Sequence, residues 1–153
     1  MKFILLVFLG LLLTPVLVMP VSCADVASPL EDFNWVLTRY GDLNNTKTPL
    51  EGTEITARFD SKTKTVSGSG GCNTYSAPYT TDRLNVKLTG PIGTTKIFCG
   101  GDKDIQEQEF YKELANATGF IMDHGQLIIE SGSARLYFKQ TDKPLKTITK
   151  WGE

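Results

Sequence analysis

The chain has 153 residues, 41% of them hydrophobic and 22% charged, which suits one packed core and leaves little room for a second domain. Sixteen Lys and Arg stand against 17 Asp and Glu, a net charge of -1, so the basic excess that nucleic-acid binding requires is missing. No nucleic-acid partner is expected.

At the N-terminus, Lys2 precedes an apolar run from Phe3 to Met19 interrupted only by Gly10, Thr14 and Pro15. Ser22-Cys23-Ala24 then places small residues at both ends of a triplet, the pattern of an export signal cleaved before Asp25. Cleavage there leaves 129 residues. Two other readings stay open. One is a retained membrane helix, although Pro15 and Pro20 break a stretch near the minimum of about 17 to 20 residues needed to span. The other is a lipid anchor on Cys23, although Pro20 stands where a lipobox carries Leu, Val or Ile. The organisation expected is a leader at 1–24, a linker at 25–32, one domain at 33–140 and a tail at 141–153.

Beyond the linker the dominant hydrophobic period is two. Trp35 to Tyr40 reads as a strand closed by Gly41-Asp42, and Glu54 to Phe59 alternates with Ile55, Ala57 and Phe59 on one face. A turn at Asp60-Ser61-Lys62 leads to Thr65-Val66-Ser67 and the cluster Gly68-Ser69-Gly70-Gly71 ahead of Cys72. Tyr75, Ala77 and Tyr79 alternate, as do Leu84, Val86 and Leu88. From Asp104 to Ala117 the period changes to 3.6, with Phe110, Leu114 and Ala117 at i, i+4, i+7. This predicts a helix, with Asp104 and Glu107 as a capping pair and Gly119 as its stop. Phe120 to Met122, Leu127 to Ile129 and Ala134 to Lys139 then form two hairpins sharing a middle strand, the first turning at Asp123-His124-Gly125. The fold class expected is mostly β (α+β): a small antiparallel cracked β-barrel or roll of about eight strands with one α-helix. Its inward set includes Ile55, Ala57, Phe59, Leu84, Val86, Leu88, Phe110 and Leu114.

If Cys23 leaves with the signal or carries lipid, Cys72 and Cys99 remain as an even pair in an oxidising compartment, and a disulfide is expected. It closes a loop of 28 residues counting both ends. No metal site is expected, because two cysteines and the single histidine, His124, fall short of four zinc ligands. The glycine cluster is not a dinucleotide fingerprint, since Asn73 occupies its sixth position and no helix follows. His124, beside Gly125 in a turn, is no candidate base, so no catalytic residues and no cofactors are assigned. Asp102, Asp104, Glu107 and Glu109 read as a solvated acidic turn favoured by the helix dipole. Trp35, Tyr75, Tyr79 and Phe110 read as core. Asn44 and Asn116 head N-x-T sequons.

Val66-Ser67-Gly68-Ser69-Gly70-Gly71-Cys72-Asn73-Thr74-Tyr75, then Gly93-Thr94-Thr95-Lys96-Ile97-Phe98-Cys99, then Gln108-Glu109-Phe110 with Leu114, resemble in that order the META/HslJ domain. The opening Trp35-Val36-Leu37 and the closing Gln126 to Ile129 and Leu136 to Phe138 extend the resemblance across residues 33–140. Its motif positions here are Trp35, Gly71, Asn73, Thr94, Thr95, Glu109 and Phe110, with Ile97 where the family often carries Met. The resemblance implies an exported or membrane-tethered domain linked to stress response, drug tolerance and virulence, with no enzymatic activity. The function expected is a non-enzymatic, extracytoplasmic stress-response or protein-interaction module of the cell envelope. Its partner would be an envelope or secreted protein, and the chain a monomer. The alternative is a carrier that holds a lipid in the barrel interior.

Overall fold

A computed structural model describes residues 28–143. The expected leader, with the three readings of the N-terminal segment, lies outside the described residues, as does the expected tail from residue 144.

The chain runs β1 (Asn34–Asp42), β2 (Asn45–Lys47), β3 (Thr56–Asp60), β4 (Thr65–Ser69), β5 (Thr74–Asp82), β6 (Asn85–Leu88), β7 (Gly93–Thr94), α1 (Gly101–Ala115), β8 (Gly119–Asp123), β9 (Gln126–Ser131) and β10 (Ala134–Thr141). Eight strands form one antiparallel path, β6-β5-β4-β3-β1-β10-β9-β8, while the short β2 pairs with β1 and β7 with β5. The path curls until its ends meet: the Phe120 amide of β8 donates to the Leu84 carbonyl at the mouth of β6, at 2.8 Å. The result is a nearly closed barrel, as the alternation predicts. The β8-β9-β10 meander is the expected pair of hairpins, its first turn made by His124 and Gly125, both at positive φ.

The inward faces fill the barrel. Trp35, Tyr75, Phe59, Phe110, Phe120 and Phe138 are among its largest fully buried side chains. Phe110 and Leu114 of α1 enter this core, with the Phe110 ring edge-on to Tyr75 at 5.5 Å between centroids. Seven of the eight residues expected to face inward are in the core or packed against it. Leu84 is the exception at 61% exposure. Tyr79 pairs with Leu88, Thr81 with Val86 and Asp82 with Asn85, so Leu84 falls in the two-residue turn rather than on the strand.

Other differences have local causes. Helix α1 starts three residues earlier than the sequence predicts, capped by Gly100 without a side-chain bond. Asp104 is not its N-cap; its carboxylate accepts the Cys99 amide at 3.3 Å. The helix ends at Asn116, whose amide bonds back to the Lys112 and Glu113 carbonyls, and Gly119 opens β8 instead of stopping α1. In β1 the buried residues are Trp35 and Leu37, then Tyr40, because a bulge between Leu37 and Arg39 shifts the inward parity by one. At the domain edges, Thr141 still pairs with Asn34, and the end of the expected linker packs as part of the fold. Leu30 is fully buried, its carbonyl accepting the Trp35 indole N–H at 2.9 Å.

Candidate functional site

The turn between β4 and β5 carries the glycine cluster, and its backbone explains the glycines. Gly71 has a φ of +102°, where L side chains are strained. A Cβ on Gly70 would lie 2.6 Å from Glu107 Oε1 and would press on the Tyr111 hydroxyl. Without that Cβ, α1 approaches closely enough for Glu107 to reach Asn73.

The Glu107 carboxylate accepts the Asn73 backbone N–H on Oε1 at 2.6 Å and the Asn73 Nδ2 on Oε2 at 2.7 Å. Nδ2 also donates to the Ile97 carbonyl at 3.0 Å. Oδ1 accepts the Ile97 amide at 2.7 Å and the Thr95 hydroxyl at 2.9 Å. Both amide hydrogens and both oxygen lone pairs of Asn73 are thus used. Glu107 is therefore not part of a solvated acidic turn. It is buried, with Asn73 as its donor. Tyr111 completes the cluster, its phenol pushed well above the usual range by burial and by the Glu107 carboxylate, so it stays protonated.

Cys72 and Cys99 are joined by a disulfide with Cα atoms 6.1 Å apart, tying this turn to the loop before α1. Asp104 lies beside the two sulfurs, but a disulfide offers no thiolate to a metal. The loop is consequently held on both sides of one residue: Ile97 by the Asn73 amide, Cys99 by the disulfide and Asp104. Between them Phe98 is 86% exposed and Ile97 62% exposed, the largest exposures among the described large hydrophobic side chains. Exposed Ile105 follows in the first turns of α1.

A second feature is a cleft of about 660 Å³ between the far half of α1, the β1–β2 turn and the β9–β10 turn. Its lining includes Tyr40, Asp42, Lys47, Glu109, Glu113 and Ser131. Glu109 pairs with Lys47 and accepts the Tyr40 hydroxyl at 3.2 Å. Burial, then the charge and hydrogen bond of Glu109, push the Tyr40 phenol up to about 12, keeping it a donor at neutral pH. The Ser131 hydroxyl donates to Glu113 at 2.8 Å. Asn116, head of one sequon, lies on this cleft; Asn44, head of the other, is exposed in the β1–β2 turn.

The motif positions read from sequence therefore divide. Gly71, Asn73, Thr95 and the Cys72–Cys99 bond converge on one cluster, and Thr94 pairs beside it with Tyr75. Trp35 and Phe110 are core. Glu109 belongs to the cleft. His124 is exposed at its turn, against Asp123 alone. Sequence reasoning misses Glu107, and also Gln106, which is buried and whose Oε1 accepts the Leu50 amide at 2.6 Å while Nε2 donates to Thr53 at 3.0 Å.

The geometry defines a class: a one-helix antiparallel barrel whose glycine turn is clamped to its helix by a buried amide–carboxylate pair and a disulfide. The META domain family matches residues 28–143, and the chain belongs to that family. No curated protein matches it. Among solved structures it is similar to a protein from Burkholderia xenovorans determined by NMR, at 23% identity and TM-score 0.63, covering 82% of this chain and 98% of that one. It is also similar to a DUF4847 family protein from Bacteroides vulgatus, at 14% identity and TM-score 0.53, covering 76% and 97%. At these identities the likeness is one of fold.

Proposed function

We propose that this META domain is a non-enzymatic, extracytoplasmic module of the cell envelope, in stress response or protein interaction, that works through its outer surface. The observation that carries this reading is the filled barrel: Trp35, Phe59, Tyr75, Phe110, Phe120 and Phe138 occupy the space that a carried lipid would need. The disulfide supports an oxidising compartment. A catalytic role would need a nucleophile and a base within reach of each other, and the clamp instead spends its hydrogen-bonding groups on one another.

A fluorescent fatty acid tests the reading against the carrier alternative. The expected result is no saturable submicromolar binding, and a loss of about 3 to 5 kcal/mol in stability for Phe110→Ala, as for a buried aromatic. Tight, saturable uptake combined with a mild effect of Phe110→Ala would establish the carrier.

A further inference from the structure

We propose that Cys72, Cys99 and Asp104 form, in the dithiol state of the chain, a binding site for one thiophilic divalent cation of the zinc class. This site stands apart from the surface-acting reading above and does not depend on it.

Three ligand atoms already converge. The two sulfurs and a carboxylate oxygen of Asp104 all lie within 4.8 Å of one another, on half-buried residues. Bonds of about 2.3 Å to sulfur and about 2.0 to 2.2 Å to oxygen set the ligand atoms of a tetrahedral ion roughly 3.5 to 4 Å apart. Sulfurs about 2.05 Å apart when bonded must therefore part by roughly 2 Å. Space for that exists beside Cys99, where a Cβ on Gly100 or Gly101 would meet nothing within 4 Å.

Asp104 is the member that a disulfide does not explain. Its Oδ1 accepts the Cys99 amide at 3.3 Å, and among the described residues no Lys or Arg forms an ion pair with it. A carboxylate gains nothing from a neutral disulfide, whereas two thiolates beside it gather the negative charge that a divalent cation satisfies. The surroundings favour the thiolates. Cys99 directly precedes Gly100, the N-cap of α1, at the positive end of the helix dipole. The Asn73 amide nitrogen, 3.4 Å from Cys72 Sγ, adds its partial positive charge.

The ligand set chooses the ion. Two thiolates select a soft or borderline cation over magnesium or calcium, which take oxygen ligands. Two sulfurs and one oxygen leave the fourth tetrahedral position to water, an open coordination that needs neither a further cysteine nor a histidine. A dithiol reductant supplies two electrons and two protons: the S–S bond breaks, both cysteines become thiols and the reductant becomes a disulfide. The cation then forms two metal–sulfur bonds and one bond to Asp104, as the two thiol protons pass to solvent. The same thiols exist in the new chain before the bond first forms, so metal and disulfide compete for one pair.

The test uses the full chain carrying Cys23→Ser, in which Cys72 and Cys99 are the remaining cysteines. It is reduced, freed of reductant without air, and titrated with Co2+ as a spectroscopic probe. One ion per chain is expected, with thiolate-to-cobalt charge transfer and the visible bands of a tetrahedral ion, displaced by Zn2+. The oxidised chain and Cys72→Ser should lack the two-thiolate signal. Asp104→Asn keeps an oxygen for the Cys99 amide but offers the ion a neutral ligand, and should weaken Co2+ binding about tenfold or more. Zn2+ should raise the melting temperature of the reduced chain and leave that of the oxidised chain unmoved. No charge transfer in the reduced chain, equal affinity in Asp104→Asn, or one ion shared by two chains would overturn the proposal. So would equally tight binding in denaturant, because the fold would then contribute nothing to gathering the ligands.

Discussion

At Asn73 one side chain serves three segments of chain: its own turn, the loop at Ile97 and the helix at Glu107. The amide is needed because it offers donors to Glu107 and Ile97 and an acceptor to Thr95 and Ile97 at the same time. A carboxylate of the same shape cannot do this. Asn73→Asp sets a second negative charge against buried Glu107 and removes the donor to Ile97, at a cost of about 3 kcal/mol or more. Denaturant unfolding checks the cost. The double variant Asn73→Asp with Glu107→Gln should recover part of it, since the repulsion is gone. Additive losses would mean that the pair is not coupled. Little of this was legible in advance. Asn73 was visible as a motif position, but Glu107 stands among Asp102, Asp104 and Glu109 with no local mark to separate it from them. Its partner lies 34 residues away, and only the absence of a Cβ at Gly70 lets the two meet.

Elements were more legible than sites because their signals are local. Half-buried strands alternate with period two, and α1 buries Phe110 and Leu114 one turn apart, so both types announce themselves within a few residues. Misreadings arise where a local pattern continues through a change in geometry. Leu84 keeps the alternation of Val86 and Leu88 yet sits in the turn, and the bulge in β1 moves burial from odd to even positions. The connection least visible locally is the one between the β4–β5 turn and the loop into α1, and there the disulfide acts. Loss of a cross-link closing 28 residues costs about 3 to 4 kcal/mol in the chain-entropy account. Cys72→Ser should therefore melt lower under oxidising conditions while reducing agent lowers the parent to meet it. If it retained the parent's melting temperature, the Asn73 clamp alone would be holding the loop.

The described domain is closed by its own first and last strands, with β1 paired to β10 and the segment at 28–33 folded onto the barrel. That segment brings Glu31 into a buried position, where Lys64 Nζ lies 2.7 Å from its carboxylate, the Tyr79 hydroxyl donates to it and the Ser28 amide donates at 3.1 Å. Burial alone would push Glu31 up, but these hydrogen bonds and the Lys64 charge outweigh it and hold the carboxyl below its ordinary 4.5. Nearby Asp32 and Asp60 are also held below their ordinary 3.8, by hydrogen bonds from Ser61 and from Thr63 respectively. All three shifts have one sign. Near pH 4 the unfolded chain binds more protons than the folded one, so acid favours unfolding. The stability they supply is complete above about pH 5 and is lost as pH falls through the folded values. Glu31→Gln should cost about 1 to 3 kcal/mol at neutral pH, the penalty for weakening a buried, charge-assisted network. Its cost should shrink towards zero in strong acid, where the parent's Glu31 is protonated and resembles the amide. Unfolding of parent and variant across pH 2 to 7 checks this. A gap between them that does not change with pH would mean that the carboxylate charge contributes nothing to holding the N-terminal segment on the barrel.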